Sequence, residues 1–208
     1  MKTKQLYTAK TPYIVKALYH DLEWKKTVQG RDLFITFDDG PIPEITPEVL
    51  RILKSYEAKA TFFCIGDNVQ KHPAIFEAVK KDGHAIGNHT FNHLNGWKTN
   101  DFSYFRNAQK CQQLVQSELF RPPYGKITFS QARALKKRYR IIMWDVLSAD
   151  FDTSISYEKC YRNVVDHAVP GSIIVFHDSL KAADRMLYAL PRVLDYFSKQ
   201  NYAFKSLV

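Results

Sequence analysis

The sequence predicts an α/β fold on a mostly parallel sheet, closed as a barrel or wound open with helices on both faces. Three observations carry this. Apolar runs of strand length alternate with segments of helical spacing, several runs stop at ionisable residues, and 208 residues suffice for one domain but are tight for two. No repeat, low-complexity tract or Pro/Gly/Ser-rich linker divides the chain.

Asp32 to Phe37 (DLFITF) is a β-branched and aromatic run entering Asp-Asp-Gly-Pro, hence a buried strand ending in a turn. Thr46 to Tyr56 has helical spacing with Val49, Leu50 and Leu53 on one face, and Thr46-Pro47 supplies a cap and first-turn pair. Ala60 to Ile65 comes next as strand, Pro73 to Lys81 as helix, His84 to Gly87 as a short strand and Tyr104 to Glu118 as helix. Gln131 to Lys137 then reads as helix, Ile141 to Val146 as strand, Tyr157 to Val165 as helix, Ser172 to Phe176 as strand and Ala182 to Lys199 as helix. Residues 1–30 fit the alternation least well and are expected to form an N-terminal extension packed on a domain spanning 31–208.

Apolar residues at 45% and charged residues at 25% exclude disordered, collagen-like and fibrous classes. A formal net charge of +9 favours acidic partners, but the chain lacks a recognised nucleic-acid motif, so no nucleic-acid partner is expected. The basic run Lys136, Lys137, Arg138 and Arg140 suits the end of a helix, where the dipole favours cations. Cys64, Cys111 and Cys160 are odd in number and far apart, which points to reduced, buried thiols. No stretch approaches the roughly 20 apolar residues of a membrane span, so no transmembrane segment is expected. Met1 to Lys4 looks like a basic leader start, but Lys10, Pro12 and Lys16 break the next stretch before an apolar core accumulates, so no cleavable signal is expected. The expected location is cytoplasmic, with export or the cell surface as the alternative if the start is incomplete; oligomeric state stays open.

In parallel α/β folds, ligands gather at the C-terminal ends of strands. Phe37 is followed by Asp38-Asp39, Gly87 by Asn88-His89, and Phe176 by His177-Asp178. His89 and His93 lie four residues apart, so one helical turn or a tight loop can aim both imidazoles at one ion; the spacing also suits two surface or capping histidines. A carboxylate from Asp38-Asp39 would complete three ligands and leave a position open for water. Neighbouring strand residues point to different sides, so the second carboxylate is free to act as a base. Taken alone, Asp-Asp-Gly-Pro also makes a turn, Arg121-Pro122-Pro123-Tyr124 a surface turn, and His177-Asp178 a cap for the last helix. His20, His72, His84 and His167 read as ordinary histidines, and Trp144 with Phe62-Phe63 as core.

Together, Thr36-Phe37-Asp38-Asp39-Gly40-Pro41, His89-Thr90-Phe91-Asn92-His93, Arg121-Pro122-Pro123-Tyr124 and Phe176-His177-Asp178 resemble the ordered motifs of polysaccharide deacetylases with a NodB-homology domain, carbohydrate esterase family 4. Ala60-Thr61-Phe62-Phe63 and Gly83 to His89 resemble the same family, and the likeness runs from about Asp32 to the C-terminus. It implies a distorted (β/α)7 barrel and a divalent metal, zinc foremost with cobalt or nickel as alternatives, on Asp39, His89 and His93. It implies Asp38 as general base held ionised by Arg121, His177 as general acid charged by Asp150, and the Tyr124 backbone N–H as an oxyanion donor. The implied reaction is hydrolysis of an acetamide by metal-activated water, and the implied partner an N-acetylated carbohydrate such as peptidoglycan or a chitin-like glycan. The family's Asp-x-x-Asp-Trp segment reads Leu147-Ser148-Ala149-Asp150-Phe151 here, keeping Asp150 but replacing the outer residues. Tyr124, Phe151 and Val175 would line the acetyl pocket, whose shape this departure alters. A catalytically impaired glycan-binding protein that retains the metal is the alternative.

Overall fold

The structure, a computed structural model, describes residues 7–207; the basic start Met1 to Lys4 and the first six residues of the expected extension lie outside the described residues. Strands β1 (Asp32–Asp38), β2 (Ala60–Cys64), β3 (Ala85–Asn88), β4 (Leu119–Phe120), β5 (Arg140–Ile141), β6 (Val146–Leu147) and β7 (Ile173–His177) lie in the order β5-β4-β3-β2-β1-β7-β6. Every adjacent pair is parallel, and β8 (Ala203–Phe204) adds a parallel pairing at the start of β1. The sheet curls into a distorted (β/α)7 barrel.

The helices are α1 (Tyr13–Leu18), α2 (Thr46–Ser55), α3 (Gly66–Lys71), α4 (Pro73–Lys81), α5 (Asp101–Val115), α6 (Phe129–Leu135), α7 (Tyr157–Val165) and α8 (Ala183–Ser198). Strand alternation divides the core in two. Leu33, Ile35 and Phe37 face outward into a cluster with Leu53 of α2, Phe62, Phe176 and Leu190 of α8. Phe34 faces inward with Phe63, Leu119, Ile142 and Ile173. Thr36 and Asp38 share the inward face of Phe34 by the two-residue period, so β1 delivers a carboxylate into the barrel.

The expected helix at Thr46 forms, and Val49, Leu50 and Leu53 are buried on it. Thr46, however, is the first helical residue and caps nothing. Its hydroxyl accepts from Ile42 N at 2.8 Å and donates to Asp178 at 2.6 Å, because Asp178 reaches the β1–α2 turn instead of capping α8. The single strand expected over Ile141 to Val146 is two short ones. Between them the Ile142 and Met143 carbonyls accept from the Arg121 guanidinium at 3.2 and 3.0 Å, which diverts them from a ladder.

The described part of the N-terminal segment runs along this interruption, bridging Lys10 to Val146, Glu23 to Ile142 and Lys25 to Ser172. Asp145 is the anchor: it is 1% exposed and takes Lys10 at 2.6 Å, Ser172 at 2.6 Å, and Lys16. Of the basic run, Lys136 ends α6 and pairs with Asp21, whereas Arg140 lies on β5 and pairs with Glu23 at 2.7 Å. The three cysteines are buried free thiols. Among the described residues no helix is long and apolar enough to cross a membrane.

Candidate active site

The polar strand ends converge on one cavity of about 530 Å³ lined by Asp38, Asp39, His89, His93, Tyr124, Phe151, Val175 and His177. The turn after β1 sets the first two. Asp39 has φ 87°, the left-handed region, so its side chain leaves the strand in a different direction from Asp38. Gly40 N donates to Asp178 Oδ1 at 2.9 Å, and a Cβ on Gly40 would stand 1.9 Å from Asp178 Oδ2, so only glycine fits under that carboxylate. Asn68 donates to the Asp39 carbonyl at 2.7 Å from α3.

His89 follows β3, and the segment to His93 is a tight loop instead of a helical turn, with Thr90 and His93 at positive φ. Asn107 of α5 shapes the loop. Its Oδ1 accepts from Phe91 N at 2.7 Å and Asn92 N at 2.9 Å. The His89 Nδ1 lies 2.8 Å from the Arg121 carbonyl, which only accepts, so Nδ1 carries the proton and Nε2 presents its lone pair. Burial pulls the His89 pKa down to about 4 and lowers that of His93, keeping both imidazoles neutral at neutral pH.

Asp39 Oδ1 is 3.2 Å from His93 Nε2 and 3.8 Å from His89 Nε2, and ligand atoms of the three residues lie within 4.8 Å of one another. Yet Asp39 Oδ1 is buried without a hydrogen-bond partner. Three electron-pair donors facing one another with no proton between them suit a cation, and one carboxylate with two imidazoles is a donor set for zinc or a similar divalent ion.

Asp38 sits beside this cluster. Its Oδ1 accepts from Arg121 Nη1 at 2.7 Å, and the same Nη1 donates to Thr36 at 2.7 Å. Arg121 is 0% exposed, and its guanidinium lies 4.1 Å from the Phe63 ring centroid. Burial alone would raise the Asp38 carboxyl; the buried guanidinium reverses this and holds it below the usual carboxylate range. Asp38 is therefore ionised with Arg121 as its counter-ion.

His177 ends β7 in register with Asp38. Its Nδ1–H donates to Asp150 Oδ1 at 2.7 Å while its backbone N donates to Asp150 Oδ2 at 2.7 Å, so one buried carboxylate fixes both ring and backbone. Burial would depress the His177 pKa, but the Asp150 charge and hydrogen bond raise it to about 9. The cavity thus holds a carboxylate that stays ionised and an imidazole that stays protonated, the separation expected of a base and an acid in one reaction.

All ten residues singled out from the sequence as catalytic, ligating or pocket residues lie in or directly behind this cavity. Trp144, expected in the core, is partly buried against the cluster of Tyr104, Phe120 and Ile141 and also lines the cavity, where it packs against Gly125, whose φ of 65° and 2.4 Å clearance admit no side chain. The sequence reading also missed Tyr7, Lys126, Ser179 and Lys181 on the walls. Tyr7 is held by its hydroxyl to Asp152 at 2.6 Å and lies edge-on to Phe151. No periodicity marks such loop residues. Of the eight described non-glycine residues at positive φ, Asp39, Thr90, His93, Tyr124 and Ala149 belong to these motif loops, the clustering expected where backbone conformation serves a site.

Residues 25–140 match the polysaccharide deacetylase family. A peptidoglycan-N-acetylglucosamine deacetylase of Bacillus cereus is 36% identical over 155 residues, covering 71% of this chain but 56% of its own length. A second protein of that name and organism is 34% identical over 188 residues, covering 87% of this chain and 88% of its own. The crystal structure of a peptidoglycan N-acetylglucosamine deacetylase superposes with a TM-score of 0.86 at 29% identity, covering 95% of each chain. The chain belongs to the polysaccharide deacetylase family.

Proposed function

We propose that the chain is a metal-dependent hydrolase that removes N-acetyl groups from an N-acetylated glycan of the peptidoglycan or chitin-like class. The observation that carries this is the joining, in one cavity, of the Asp39, His89 and His93 cluster with an ionised Asp38 and a protonated His177. The activity named for the relatives supports the substrate class.

A divalent cation on Asp39, His89 and His93 would supply Lewis acidity toward the acetamide carbonyl and toward water. Asp38 takes the proton of the attacking water on Oδ2, since Oδ1 is occupied by Arg121. Arg121 keeps that carboxylate ionised and fixed in direction. His177 delivers a proton from Nε2 to the departing amine nitrogen, with Nδ1 tied to Asp150. The Tyr124 backbone N–H is the oxyanion donor that the family resemblance assigns. Val175, Leu147 and Phe151 give the acetyl methyl an apolar wall and exclude bulk water. The products are acetate and a free amine.

Leu147 and Phe151, which both line the cavity, favour one second reading: a metal-retaining protein that binds glycan without turning it over. An acetate-release assay on N-acetylated chito-oligosaccharides and peptidoglycan fragments with added zinc or cobalt decides. Release that disappears in Asp38→Asn, with metal still bound, supports the deacetylase; glycan binding with no acetate supports the second reading.

A further inference from the structure

The anionic groups on the cavity floor are already matched. Asp38 has Arg121, Asp150 has His177, and Asp39 faces the two imidazoles of the cation cluster. Two lysines also line the cavity, Lys126 from the loop after β4 and Lys181 from the loop after β7. Neither forms an ion pair with a carboxylate among the described residues.

Both ammonium groups lie near aromatic rings. Lys126 Nζ is 5.3 Å from the Trp97 ring centroid, and the Trp97 indole is itself fixed by donating to the Ile127 carbonyl at 3.0 Å. Lys181 Nζ is 5.8 Å from the Phe151 ring, which packs edge-on 5.2 Å from His177. Aromatic faces favour a cation beside them without neutralising it, so each charge stays at the cavity wall and open to a ligand. Lys126 is half-buried, where a charge–charge contact is screened less than on open surface. The chain's net charge of +9 adds long-range attraction for an anion.

We infer that Lys126 and Lys181 form an anion-recognition subsite at the cavity mouth, taking carboxylate or phosphoester groups on the sugars that flank the one whose acetamide enters the pocket. This rests on the deacetylase reading and narrows it to an anionic glycan. The two lysines enter from different loops, so each meets its own flanking position.

The test uses the full chain loaded with zinc, as wild type, Lys126→Gln, Lys181→Gln and the double variant. Three N-acetylated tetrasaccharides of equal length serve as substrates: neutral chitotetraose, one bearing lactyl carboxylates, and one bearing a phosphoester. Acetate release gives kcat/KM, and calorimetry on the Asp38→Asn background gives binding without turnover. The wild type should prefer an anionic tetrasaccharide to the neutral one, and raising salt from about 0.05 M to about 0.5 M should shrink the preference. The ratio of anionic to neutral kcat/KM should fall about threefold to fivefold in each single variant and about tenfold or more in the double. The carboxylate and phosphoester arms show which anion is read. A wild type without preference, or a double variant that keeps the wild-type ratio, overturns the inference. If no substrate releases acetate, the deacetylase reading fails, and the calorimetric ratio still decides the subsite.

Discussion

Replacing Asp150 with asparagine keeps the shape beside His177 and removes the charge that holds its proton. The free imidazole titrates at 6.5 and the folded one at about 9, a difference worth about 3 kcal/mol between protonation states at ~1.4 kcal/mol per unit. The folded pKa is raised, so this stabilisation is fully present below pH 6.5 and is lost as pH rises through about 9. Denaturant unfolding of the wild type should therefore show stability falling by up to about 3 kcal/mol across that window, and Asp150→Asn should lack this slope. In the variant, burial dominates and His177 becomes neutral near neutral pH. Its service as a proton donor then goes, with an expected loss of about 10²- to 10⁴-fold in kcat. NMR titration of the His177 ring, followed with acetate-release kinetics, measures both. An Asp150→Asn variant with kcat within threefold of wild type and an unmoved His177 titration would refute the charge-pair argument.

Other contacts give further expected outcomes. His84 Nδ1 accepts from Ala60 N at 3.2 Å and burial lowers its pKa to about 4, so the fold holds it neutral and stability should fall as pH drops from 6.5 toward 4. Chemical denaturation of wild type and His84→Gln between those values checks it, with the variant expected to be the less pH-sensitive. Gly40→Ala sets a methyl 1.9 Å from Asp178 Oδ2 and should cost about 2 kcal/mol or more while displacing Asp39, read as a lower melting temperature together with weaker zinc binding. Asn107→Ala frees the Phe91 and Asn92 N–H groups that set the His89–His93 loop and should weaken zinc affinity about tenfold in a chelator competition. Exhaustive chelation should abolish acetate release, with zinc or cobalt restoring it.

How far these residues were legible depended on whether their chemistry was local in sequence. Asp38-Asp39 and His89 to His93 are contiguous motifs at strand ends, and parallel α/β geometry brings such ends together. The long strands and α7 have clean periodicity and fall within a residue or two of expectation. Strands β4, β5, β6 and β8 are two residues each, too short for a period to register, and they form because neighbours supply their partners. The split between β5 and β6 depends on a partner more than 20 residues away, the Arg121 guanidinium at the end of the neighbouring strand β4. Asp145, Asn107 and Asp178 act through partners 15 to 138 residues away, at distances no local window spans. Trp144 packs on the core as its residue type suggests, and its second role in lining the cavity was not legible because it depends on Gly125, from another loop, leaving room for its ring.

The central claim is that Asp38 and the Asp39, His89 and His93 cluster act together on an acetamide. Its most direct test is acetate release from an N-acetylated glycan by zinc-loaded wild type and zinc-loaded Asp38→Asn, with bound zinc measured in the same samples. The account predicts acetate from the wild type alone and about one zinc in each protein. Equal acetate release by the two, or release from protein that retains no metal, would contradict it.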